Sequence, residues 1–235
     1  MSVSLKDFSL DEQCVLINTA RSMPIAAGAP PPVAFRAGNY GANDDTLRAL
    51  AEFGITRDTS FSLGFEDSAC GINLGPTDLA PTRHCGVVEV PVGCIAVLSQ
   101  HTRHAQLTAL SKRELLAAIR HARDHGEGSF TIVSHSLELL SPGRIRINKI
   151  VKRRFDSFYL ALGRLRGART ATYCDSPPSV ANGNVDSEML PRNILRTGAR
   201  VAEQTVANML YDENKSGAAA VAVMAAAATA AAAID

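Results

Sequence analysis

The chain carries no excess charge of either sign: 24 Lys and Arg stand against 23 Asp and Glu. That balance excludes the bulk electrostatic pull that draws basic proteins onto nucleic acid or anionic membranes. A cysteine framework is also missing. Five cysteines, at positions 14, 70, 85, 94 and 174, make an odd number with no C-x-x-C pair, which argues against both a disulfide scaffold and a zinc knuckle. Met1 to Phe8 hold neither an apolar core nor a cleavage pattern, so no secretory signal is expected and a cytoplasmic location is the default. A strongly apolar run of membrane length is lacking too. The nearest approach, residues 217–234, is nearly pure Ala between polar flanks, and Ala contributes little to insertion. It reads as a low-complexity helical or disordered tail.

What is present is enough for one large domain with an extension, since 235 residues bury a substantial core. Ser9-Leu-Asp-Glu12 has capping-box spacing and opens a helix. Val15, Leu16, Thr19 and Ala20 form its expected apolar stripe, Pro24 interrupts the last turn and Gly28 ends it. A short strand, Val33 to Phe35, leads into a polar loop. Asn43 then caps a helix with Asp44 and Asp45 in its first turn, where the helix dipole favours acids. Leu47, Leu50, Ala51 and Phe53 give its buried side, and Ile55 to Phe61 reads as the next strand. Strand, helix and strand in this order imply a parallel sheet.

Ser62 to Arg83 reads as a long surface loop. Gly86 to Leu98 reads as one or two strands with a bend at Pro91 and Gly93, Glu89 being its only charge. Ser111-Lys-Arg-Glu114 opens a helix to about His125 with Leu115, Leu116, Ile119 and Ala122 inward. Phe130 to Ser134 is the next expected strand, Ile145 to Leu165 an amphipathic helix, and Ala171 to Tyr173 a last short strand. A Pro, Gly and Asn linker follows, and Leu190 to Tyr211 has helical spacing.

Two stretches put polar chemistry at the tips of apolar strands, where the crevice of an α/β sheet opens. Phe35-Arg36-Ala-Gly-Asn39-Tyr40-Gly41 supplies a fixed cation, and Ser134-His135-Ser136 supplies a group that exchanges a proton near neutral pH. On position alone, the alternatives are an Arg36–Asp58 ion pair and a core His135 bonded to backbone. His121 and His125 have the i, i+4 spacing of metal ligands, but they lack a third donor nearby and lie at a helix C-terminus, where the dipole favours them. His101 and His104 read as surface residues. Nine Lys and Arg between Arg144 and Arg169, with Asp156 the sole acid, make a basic helix face. Without aromatic stacking residues that face reads as solvated, or as a contact for an anionic glycan, rather than as a nucleic-acid site.

The Arg36 stretch, followed by Asn43-Asp-Asp-Thr-Leu-Arg-Ala-Leu50, resembles the third motif of the polysaccharide deacetylase (NodB-homology) family. Ile132-Val-Ser-His135-Ser followed by Leu137-Glu-Leu-Leu140 is similar to the family's late motif. The likeness spans about residues 5–175. It implies an α/β fold, an incomplete (β/α) barrel lacking its first strands; composition then sets off a 176–189 linker and a 190–235 tail that is Ala-rich from 217. It also implies metal-dependent removal of acetyl groups from a polysaccharide or oligosaccharide, with a divalent ion, usually zinc, polarising the acetyl carbonyl and a water. His135 would protonate the leaving group and Arg36 would orient the base carboxylate. Tyr40, Asn39 and Ser136 would line the substrate. The family's paired acids and His-Ser/Thr-x-x-His motif precede the Arg motif, and the 35 residues before Arg36 contain neither. The expectation is therefore a deacetylase-like chain with weak or no hydrolysis of its own, the alternative being a non-catalytic glycan-binding or interaction protein on the same fold. A barrel without its first strands exposes a sheet edge and apolar surface, which a second copy or a partner would cover.

Overall fold

A computed structural model describes residues 3–64, 70–97, 101–178, 180 and 187–211. Among them are the helices α1 (Leu10–Ala26), α2 (Asp44–Glu52), α3 (Lys112–Asp124), α4 (Lys149–Leu162) and α5 (Ile194–Tyr211). The strands are short: β1 (Ala34–Phe35), β2 (Arg57–Asp58), β3 (Thr82–His84), β4 (Val87–Glu89), β5 (Cys94–Ala96) and β6 (Thr102–His104).

The main sheet has the order β1-β2-β4-β3. β1, β2 and β4 run parallel, in a register that sets Phe35 beside Asp58 and Asp58 beside Glu89. β3 returns antiparallel along β4, and β5 pairs antiparallel with β6. Single parallel bridges, Val92 with Thr131 and Gln106 with Val133, extend the pairing to the 131–133 segment. The architecture is mixed α/β with small sheets, and among the described residues it does not close into a barrel. β3 overlaps the end of the stretch expected to be loop, Ser62 to Arg83. Its sequence has no strand pattern, and its hydrogen bonds come from β4. Residues 171–173 are not a strand; Thr172 Oγ1 donates to Asp175 Oδ2 at 2.7 Å and closes a turn there.

The Ser9 capping box forms, with Ser9 N donating to the Glu12 carboxylate at 2.9 Å. α1 runs on through Pro24 to Ala26, because a proline so near the end forfeits only one intrahelical bond. The expected stripe is on the wrong side. Val15 and Leu16 are exposed, as are Thr19 and Ala20, and the helix buries Gln13 and Ile17 instead. A buried amide decides the matter. Gln13 Nε2 donates to the Phe8 carbonyl at 2.9 Å and to Asn43 Oδ1 at 3.3 Å, while its Oε1 accepts from Thr46 Oγ1 at 2.5 Å. This knot fixes the face of α1 that meets α2. Asn43 caps α2 by accepting from Thr46 N at 3.0 Å, and Leu47 and Leu50 are fully buried beneath it, with Ala51 and Phe53 half-buried.

One core gathers Ile17, Leu47, Leu50, Ile55, Phe61 and Val87 around α1, α2 and the parallel strands. A second surrounds α3 and α4 with Leu107, Leu110, Leu115, Ile119, Phe158 and Leu190. The α3 face is the expected one. On α4 the basic run divides: Lys149, Lys152 and Arg153 are exposed, but Arg154 is buried. It donates to the carbonyls of Leu107, Thr108 and Leu110 and to Glu203 Oε1 at 2.9 Å. Buried donors are kept satisfied in this way. α5, the helix read at the start of the tail, docks on the α/β body through polar anchors. Arg200 pairs with Glu114 at 3.2 Å with both side chains buried, and Tyr211 Oη accepts from Lys149 N at 2.8 Å. Leu195 and Val201, expected on its apolar side, are exposed. The Ala-rich stretch 217–234 lies outside the described residues. Among those described, no helix is long and apolar enough to cross a membrane.

Candidate functional site

The site grows from a pair of buried carboxylates. Asp58 and Glu89 end adjacent parallel strands, side by side and fully buried. Burial raises both carboxyls above their ordinary values, Glu89 the more strongly because the Asp58 charge adds to it. Side by side and buried, the two carboxyls disfavour each other's ionisation. Each carboxyl then organises the chain beyond β2. Asp58 accepts from Ser60 N at 2.9 Å and from Ser60 Oγ at 3.0 Å, and Glu89 Oε1 accepts from Phe61 N at 2.9 Å.

That turn positions Arg36. The guanidinium Nε donates to the Thr59 carbonyl at 3.1 Å and Nη2 to Thr59 Oγ1 at 3.2 Å, and Ser60 Oγ accepts from Ala37 N at 2.9 Å. Arg36 thus bonds Thr59 rather than pairing with Asp58. The residue as a whole is exposed, with the Nε and Nη2 edge of its guanidinium held. The loop turns over through left-handed Asn39 and Tyr40, with φ of 51° and 58°. Asn39 is suited to that conformation; a Tyr there is uncommon and held by its burial. Asn39 points to the exterior, whereas Tyr40 is buried beside Val92 and Val133.

Tyr40 connects the two predicted stretches. Burial pushes its phenol up, with Arg36 pulling it down and Glu138 pushing it further up, so the ring lies within electrostatic reach of both. Its ring meets the His104 ring edge-on at 6.4 Å. His104 is buried, not a surface residue. Nδ1 lies 3.2 Å from the Gly64 carbonyl and Nε2 lies 2.6 Å from Gln106 Oε1. Gln106 Nε2 in turn donates to Glu138 Oε1. The second Glu138 oxygen is buried without a hydrogen-bond partner.

His135 sits at the N-terminus of the 3-10 turn Ser136–Leu139, exposed together with Ser136. It is therefore not a core histidine. Its carbonyl accepts from Glu138 N at 3.0 Å, tying it to the same cluster. Gln106 and Glu138 escape sequence reading because neither has a distinctive neighbour or spacing. The parallel Gln106–Val133 bridge alone brings them to the strand tips. Arg36 also lines a cavity of about 820 Å³ walled by Phe130, Ile132, Phe158, Tyr159 and Tyr173.

The zinc implied by the resemblance does not fit here. Both His104 nitrogens face oxygen acceptors, and Arg36 is a cation. Among the described residues the three-donor cluster of metal-ligating type is Asp44, His84 and Cys85, which includes none of these groups. The His121 and His125 rings meet at a tilt, their centroids 4.0 Å apart. His121 Nε2 bonds the Glu188 carbonyl at 2.7 Å and His125 Nδ1 the His121 carbonyl at 2.9 Å, so this pair reads as helix-end packing.

No family model, no curated protein and no solved structure matches the chain.

Proposed function

We propose that this chain is a polysaccharide deacetylase-like α/β domain, its fold an incomplete barrel, that binds acetylated polysaccharide or oligosaccharide at the Arg36–Tyr40–His135 face. The carrying observation is the convergence of two stretches a hundred residues apart in the sequence, with Tyr40 of the Arg36 loop packed with Val133, two residues before His135, and His135 at the head of the turn that carries Glu138. Arg36 offers a positioned donor to an acetyl or ring oxygen. His135, exposed at the rim, is free to hand a proton to a leaving amine or alkoxide. Among the described residues no carboxylate and histidine set able to hold zinc stands beside them. The reaction at this face is accordingly weak or absent in the isolated chain, which favours the glycan-binding reading as the second one.

The test pairs binding with turnover. Calorimetry with acetylated and deacetylated oligosaccharides is expected to show saturable binding that prefers the acetylated form. Arg36→Ala should weaken it about tenfold or more, the scale of losing a charged hydrogen-bond pair, and His135→Ala should lower any acetate release. Failure to bind either sugar form sinks both readings. Rapid acetate release that resists chelator overturns the family mechanism while leaving the face in place.

A further inference from the structure

A second constellation lies outside this face, on the turn between β3 and β4. We propose that Asp44, His84 and Cys85 form a binding site for a zinc-class divalent cation, with carboxylate, imidazole and thiolate as three ligands and the fourth position open to solvent. The donor atoms all lie within 4.8 Å of one another, and each residue is half-buried. A tetrahedral zinc centre with bonds of about 2.0–2.3 Å sets its donors about 3.3–3.8 Å apart, so small side-chain adjustments bring the three into range.

The turn itself argues for the thiol. His84-Cys85-Gly86-Val87 is a two-residue hairpin with positive φ at both central positions, 44° at Cys85 and 90° at Gly86. Such turns call for Asn-Gly or Asp-Gly, and a cysteine in the first place is strained. A residue that breaks the local rule and is held there points to a role elsewhere. Here the strained position turns Cys85 towards Asp44, beside His84. Asp44 is fixed in the first turn of α2, its Oδ1 accepting from Asn73 N at 2.9 Å and from His84 Nε2–H at 2.9 Å. One ligand is thereby held by a backbone bond of the kind that orients metal ligands. Sulfur and nitrogen donors beside one carboxylate select zinc, cobalt or a similar cation over calcium or magnesium.

The test is a cobalt(II) titration of the full chain under a non-thiol reductant, followed by displacement with zinc. The expected result is one equivalent of cobalt with a thiolate-to-metal charge-transfer band, removed by zinc. Cys85→Asn is the informative variant, because Asn suits the turn and keeps the fold while deleting the thiol. It should abolish the band and weaken binding about a hundredfold; His84→Ala should do likewise. Binding without a thiolate band, binding unchanged in Cys85→Asn, or no binding by the wild-type chain would each overturn the site. Loss confined to His121→Ala would place the metal on α3 and overturn it as well. None of these outcomes depends on the sugar-binding face, whose variants leave this turn untouched.

Discussion

Glu127 gives the sharpest stability test. It follows α3, with its N–H bonded to the Ala122 carbonyl at 3.0 Å and the residue only 5 % exposed. Burial pushes its carboxyl from the ordinary 4.5 up to about 7, against a smaller downward pull from His125. A rise of about 2.5 units corresponds to about 3 kcal/mol of preference for the neutral form, and to about 2 kcal/mol once solvent screening at the crevice mouth is counted. The native chain therefore binds a proton between about pH 4.5 and 7 that the unfolded chain has released. Its contribution is fully present below the unfolded value and is lost as pH rises through the folded one. Glu127→Gln keeps the shape of the neutral acid at every pH. Urea unfolding should show wild type and variant alike near pH 4, and the variant more stable by about 2 kcal/mol near pH 8. The Asp58 and Glu89 pair changes wild type and variant equally, so the difference isolates Glu127. An equal difference between the two proteins at both pH values would refute the argument.

Arg200→Ala leaves Glu114 buried without its partner, and urea unfolding should show a loss of about 3–5 kcal/mol, with protease cutting first around α5. Asn43→Ala removes the cap of α2 and the acceptor for Gln13; thermal unfolding should show a loss of about 1–2 kcal/mol. Gly64→Ala sets a Cβ against the backbone N of His104, a clash that side chains cannot relieve. It should cost about 2 kcal/mol or more and, by shifting His104, broaden the NMR signals of the Tyr40 and Gln106 cluster.

Sequence by itself determined the local signals. The capping groups Ser9, Asn43 and Ser111, the α3 face and the parallel β1-α2-β2 unit follow from side chains acting on backbone within a few residues, and those elements stand where they were read. Arg36 and His135 were singled out by the apolar runs before them; Arg36 does follow β1, whereas the 130–134 run makes only single bridges, at Thr131 and Val133. Only the tertiary structure decided which face of α1 is buried. Gln13, a polar residue, goes inward because Thr46 and Asn43 complete its bonds, and Val15 and Leu16 are left outside. It likewise made β3 a strand through β4, took Arg154 out of the basic face into the carbonyls of the 107–110 turn, and buried His104 under Gly64. The partners in each case lie far along the chain, so no window of sequence contains them. Burial and pairing, not residue type, set whether a polar group is surface, scaffold or site.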